Sequence, residues 1–295
     1  MKRISQAPFR LFVLVGLVVW LGTGCESVTA PELTEPCVSW CNTVAPWPHD
    51  GKPFESELFT IYSDGASREA LAELAEIAED VLADLMDRLE IASPDVFVLP
   101  PGQQTIHLYA YKYHYQAEWG GQAFWGGMII FSLDHPKLTE FTERGHYTRL
   151  VTHELTHVIQ NLLVGSNLSY STHTWFEEGL AELVSALDAE RSIWTEADLN
   201  QRIAQFGELN PIAIHNDILP DIENVGVQYF YPMFELTMRY LLDPQGLGHS
   251  LQDVRDVFLD MRDGTSFSGA FQTAFGISVT DLQNEFFVRI RQYLP

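Results

Sequence analysis

His153-Glu154-Leu155-Thr156-His157 lies within the run Tyr147–Leu163. Leu150, Val151, Leu155, Val158, Ile159 and Leu162 recur there at helical spacing, which predicts a helix with one apolar face. Residues four apart on a helix share a face one turn apart, so the two imidazoles can reach a single metal ion. Glu154 leans toward the same side without competing as a ligand. A zinc ion takes neutral imidazole nitrogens at about 2.0–2.1 Å and leaves one position for water. The metal acidifies that water, and a carboxylate beside it can take the proton. The plain alternative is a core helix that happens to carry two histidines. A buried Glu154 would then need partners to offset its desolvation, and a metal site supplies them.

H-E-x-x-H is the arrangement of zinc hydrolases, and a catalytic zinc needs a third protein ligand. A second helical pattern starts downstream at Trp175-Phe176-Glu177-Glu178-Gly179-Leu180-Ala181-Glu182. Trp175, Glu178, Gly179 and Ala181 match a W-x-x-E-G-x-A signature, and here the chain resembles the gluzincin metallopeptidases, the clan of thermolysin and aminopeptidase N. The resemblance makes Glu178 the third ligand, with Glu177 as runner-up. The separation from His157 is 178 − 157 = 21 positions, slightly longer than in aminopeptidase-N-like members. The extra residues fall in the loop Gly165–Thr174, where Gly, Asn and Ser suit insertion. Glu182 lies one turn past Glu178 and is a candidate to accept a proton from the free nitrogen of a metal-bound histidine. For Glu182 and Glu177 the alternative is an ordinary solvated helix face.

Upstream, Leu58–Tyr62 alternates as a strand. Ser67 can cap a helix whose apolar positions are Leu71, Leu74, Ala78, Val81, Leu82, Leu85 and Leu89. Gln104–Tyr111 and Gly126–Leu133 read as two further strands. The expected fold class is α+β: an N-terminal mixed sheet packed on helices, the active-site helix pair, and a C-terminal helical subdomain. In gluzincins an edge strand borders the cleft and pairs with the substrate backbone. The resemblance assigns that role to Gly127, Met128 and Ile129. Aminopeptidase-N-like members carry G-x-M-E-N there, whose Glu holds a free amine; Ile129 and Ile130 stand in place of its Glu and Asn. That departure points to cleavage within chains. The alternative is a buried strand with no substrate contact.

Beyond Leu187 the pattern is helical, over Glu196–Phe206, Val227–Leu242, Val254–Met261, Phe267–Phe275 and Asp281–Leu294. Asp243-Pro244-Gln245-Gly246 ends the second of these. This part resembles the C-terminal region of small bacterial peptidase-like gluzincins, so the resemblance extends loosely over residues 57–295. It implies that Tyr231, or else Tyr229, stabilises the oxyanion of the tetrahedral intermediate. Against that stands a simple core role, since Gln228–Tyr240 is dense in aromatics.

The N-terminus reads as an export signal over residues 1–24. Lys2, Arg3 and Arg10 precede the apolar run Leu11–Leu21, and small residues lead to Cys25. Cys25 resembles the lipidated cysteine of a bacterial lipobox, although Leu21 sits four residues before it rather than three; a plain secretory signal and an uncleaved anchor are the alternatives. Residues 25–55, rich in Pro, Thr and Ser, read as a tether in which Cys37 and Cys41 can pair as a disulfide. Residues 56–190 form the expected catalytic region and 191–295 the helical one.

The chain is 46% hydrophobic and 19% charged, an ordinary globular balance, with a formal charge of −23. Removing residues 1–24 takes three basic groups and gives 17 − 3 − 40 = −26. Such acidity opposes nucleic-acid binding and offers no basic patch for anionic lipid, so membrane association falls to the N-terminal lipid or anchor. The expected function is an exported, cell-envelope zinc hydrolase with one Zn²⁺ per chain, acting on a peptide or protein substrate. The rivals are a binding lipoprotein that keeps the fold without turnover, and a zinc hydrolase of a non-peptide amide or ester.

Overall fold

A computed structural model describes residues 52–63, 65–110, 121–130, 144–168, 173–186, 194–213 and 228–295, with side chains from 148 onward in the helix that begins at Arg144. The export signal, Cys25 and the Cys37–Cys41 pair fall outside the described residues. Among the described residues the protein is mixed α/β, with a five-stranded mixed sheet and eight α-helices. No described helix is long and apolar enough to cross a membrane.

The strands are β1 (Phe54–Glu55), β2 (Phe59–Ser63), β3 (Ile106–Ala110), β4 (Gly121–Phe124) and β5 (Gly127–Ile130), in the order β1-β2-β3-β5-β4. The three central strands β2, β3 and β5 run parallel, and both flanking strands are antiparallel to their neighbours. Side chains alternate across a strand. Register therefore puts Phe59, Ile61, Leu108, Met128 and Ile130 on one face. These residues join the main hydrophobic core.

That core is completed by α1 (Arg68–Arg88) and α2 (Arg144–Val164), which pack on each other and against the sheet. The Ser67 side chain caps α1 by accepting from the Ala70 N–H, and the seven apolar positions read from the sequence are all buried. In α2, Val151, Leu155, Val158, Ile159 and Leu162 are fully enclosed.

The second motif forms α3 (Thr174–Ser185), held between α2 and α5 (Tyr231–Leu242). A Cβ at Gly179 would stand 2.6 Å from the Phe234 carbonyl oxygen and 2.7 Å from Met238 Cγ. Glycine here lets the two helix backbones touch. Gly179→Ala is therefore expected to lower stability by about 1–3 kcal/mol through overpacking, although Ala is the better helix former by about 1 kcal/mol. The midpoint of urea unfolding measures it.

The remaining helices are α4 (Glu196–Phe206), α6 (Leu251–Arg262), α7 (Phe267–Phe275) and α8 (Val279–Tyr293). Thr195–Asp198 and Ser250–Asp253 form capping boxes at α4 and α6. The Ser250 cap starts α6 three residues ahead of the expected Val254. The helix expected from Val227 is instead a π-turn at Gln228–Phe230 leading into α5; Val227 itself is outside the described residues.

Candidate metal centre

The helical spacing of α2 brings His153 Nε2 and His157 Nε2 to 3.3 Å from each other. Packing of α3 on α2 then delivers Glu178 Oε2 to 3.4 Å from the first and 3.3 Å from the second. Three ligand-type atoms thus form a nearly equilateral triangle whose centre is about 3.3/√3 ≈ 1.9 Å from each corner, within reach of one metal ion. Glu178 Oε2 is buried and makes no hydrogen bond of proper geometry. A buried carboxylate oxygen facing two imidazole nitrogens without a shared proton at a good angle is the arrangement a cation satisfies. Among the described residues this is the one group of three or more His, Cys, Asp or Glu side chains gathered in this way.

Each histidine is held from behind through its other ring nitrogen. His153 Nδ1 faces Glu182 Oε1 at 3.3 Å, and Glu182 Oε2 in turn lies 3.6 Å from Arg149. His157 Nδ1 lies 2.9 Å from Gln160 Oε1, and Gln160 Nε2 donates to the Glu177 carbonyl at 3.0 Å. The sequence reading missed both Arg149 and Gln160. Their signal was there: Arg149 is one turn before His153 and Gln160 is three residues after His157, each on the histidine face of α2.

Glu177, the runner-up ligand, turns away from the triangle. Its Oε1 is 3.1 Å from His173 Nε2, and burial pushes its carboxyl up to about 8. Burial likewise lowers His173 to about 4.

Glu154 is 6% exposed. Its side chain rests against the backbone of β4: a Cβ at Gly121 would meet Glu154 Cγ at 2.6 Å and Oε1 at 2.8 Å. Burial raises the Glu154 carboxyl above its ordinary range, while His153 and His157 pull it back down. That shift moves a proton acceptor toward neutral pH. Around the triangle, burial disfavours charge on both imidazoles, but Glu178 overrides it at both, joined by Glu182 at His153, so both hold protons more tightly than usual. Glu178 itself is also buried, yet the two imidazoles hold its carboxyl well below the usual carboxylate range.

A metal must displace any proton on the Nε2 atoms. Metal affinity is therefore expected to rise with pH until both imidazoles are neutral, then level off. On the acid side it should change by up to about a hundredfold per pH unit, the limit for two protons released. Chelator competition across pH reads this slope directly.

The edge-strand assignment to Gly127, Met128 and Ile129 is corrected by the sheet order. These residues lie in β5, paired with β3 on one side and β4 on the other, so their backbone groups are already used. Among the described residues the sheet ends in β1 on one side and β4 on the other, and it is β4 that passes Glu154. Tyr231 opens α5 half-buried, its ring 6.1 Å from that of Phe234, one turn before the contact with Gly179. Its rival Tyr229 is fully buried with its hydroxyl donating to the Leu209 carbonyl, a core role.

No protein-family model matches the chain, and no curated protein sequence matches it.

Proposed function

We propose that this chain is a zinc-dependent hydrolase of gluzincin type that cleaves peptide bonds within chains. The observation that carries the reading is the His153–His157–Glu178 triangle with Glu154 beside it. Ligands on a tetrahedral ion are separated by 1.63 times the metal–ligand distance, so zinc bonds of about 2.0–2.1 Å require edges of about 3.3–3.4 Å. The three separations here, 3.3, 3.3 and 3.4 Å, match three edges of such a tetrahedron and leave its fourth corner for water.

Bound there, zinc would supply an acidic water and a Lewis-acid pull on a carbonyl oxygen. The chain's own groups do the rest. Glu154 accepts the proton of the attacking water and returns it to the leaving amine. β4 offers a backbone edge for an extended substrate. Phe124 and Gly127 flank the two-residue turn and pair with each other, so Gly121 and Ala123 direct their peptide groups outward. Tyr231 is the candidate oxyanion donor from the start of α5. β4 reads Gly121-Gln122-Ala123-Phe124 and carries no acidic side chain to hold a free amine, which favours internal cleavage over removal of N-terminal residues. Export, and lipid attachment at Cys25, complete the proposal from the sequence alone.

The test is zinc content and casein hydrolysis by the purified protein, before and after chelation. About one zinc per chain, with activity lost on chelation and regained with zinc, is the expected result. A protein that takes up no zinc, or hydrolyses casein equally well without it, refutes the reading.

A further inference from the structure

We infer that Gln160 is the positioning residue that presents His157 to the metal, and that it does so by fixing which ring nitrogen carries the proton. The inference rests on the metal reading above and adds to it. The Glu177 main-chain oxygen on α3 can only accept a hydrogen bond. The end of the Gln160 amide that faces it at 3.0 Å must therefore be the NH₂ group. The opposite end is then the carbonyl oxygen, which also can only accept. It lies 2.9 Å from His157 Nδ1, so that nitrogen must bear the proton. A neutral imidazole with its proton on Nδ1 has its lone pair on Nε2, the atom that stands at the triangle's corner.

Gln160 is 1% exposed, so water competes poorly for either of its bonds. One amide thus sets the His157 tautomer and ties α2 to α3 beside the residue that precedes Glu178. The two histidines are oriented by unlike partners. His153 faces the carboxylate of Glu182, whereas His157 faces a neutral amide that adds no further negative charge to a site already holding Glu154, Glu178 and Glu182.

Two substitutions separate proton placement from helix pairing. Gln160→Met keeps the length and removes both hydrogen bonds. Gln160→Glu keeps an acceptor for His157 Nδ1 but loses the donor to Glu177. Zinc affinity, measured against a competing chelator at fixed pH, is expected to fall about 10–100-fold in Gln160→Met and to stay within about tenfold of native in Gln160→Glu. In native, zinc-loaded protein, the His157 Nδ1 proton should give a slowly exchanging nitrogen-bound NMR signal. That signal needs no variant to fold. It should shift but persist in Gln160→Glu and exchange rapidly in Gln160→Met. The inference is overturned if Gln160→Met binds zinc as tightly as native, if both variants lose affinity equally, or if the native Nδ1 proton exchanges at the rate of an open imidazole. Native protein that binds no zinc would instead overturn the function proposed above, so the two failures are distinguishable.

Discussion

Glu154→Gln is expected to keep its metal and lose turnover by about 10²–10⁴-fold, the usual contribution of a positioned proton acceptor. That corresponds to about 3–5 kcal/mol of transition-state stabilisation. The substitution is close to isosteric, which matters because the side chain is packed closely against Gly121, where a Cβ would stand 2.6 Å from Glu154 Cγ. An amide there cannot take a proton from water. It also leaves His153, His157 and Glu178 untouched, since Glu154 is not a corner of the triangle. The measurement is kcat on a peptide substrate together with zinc per chain. Retained activity would remove Glu154 from the chemistry; lost zinc would make it a structural partner of the site.

Glu178→Ala is expected to weaken metal binding by about two to three orders of magnitude. Structural zinc sites in small peptides are worth about 10–16 kcal/mol over four ligands, so an even share is about 2.5–4 kcal/mol. Losing it weakens binding by about 10²–10³-fold. The deleted carboxylate is buried against both imidazoles, which hold it ionised, so its loss also costs the metal-free fold some stability. The check is thermal unfolding with and without a chelator. Ligands stabilise the state they bind, so chelation should lower the midpoint of the native protein by clearly more than that of Glu178→Ala. Glu177→Gln, by contrast, should keep the native response, because Glu177 faces His173 rather than the triangle. Equal zinc binding by Glu178→Ala and native protein would remove Glu178 as a ligand.

These expectations trace to different levels of the molecule. The spacing of His153 and His157 was enough to place both rings on one helix face, because helical periodicity is a local property. The same holds for the Ser67 cap of α1 and for most of the helix assignments: each rests on residues within one or two turns. The choice between Glu177 and Glu178 was of another kind. Adjacent helix residues point about 100° apart, and which one meets the histidines depends on how α3 rolls against α2 and α5. In the structure α3 meets α5 closely at Gly179 and Phe234, and it is Glu178 that faces the histidines.

β4 shows the same divide. Its four residues carry almost no periodic signal, whereas the apolar Gly127–Ile130 announces a strand. Alternation can say that a strand exists and which side chains share a face. It cannot say which strand is outermost, because sheet order is a matter of long-range pairing, and here β5 is enclosed between β3 and β4. Gln160 likewise stood in plain view three residues after His157, yet its function required the Glu177 carbonyl, 17 positions away. The sequence by itself determined the helix, the two rings and the neighbouring carboxylate, since each is written within a few consecutive residues. Only the tertiary structure decided the third corner, the open sheet edge and the proton on His157, since each depends on where a separate element comes to rest.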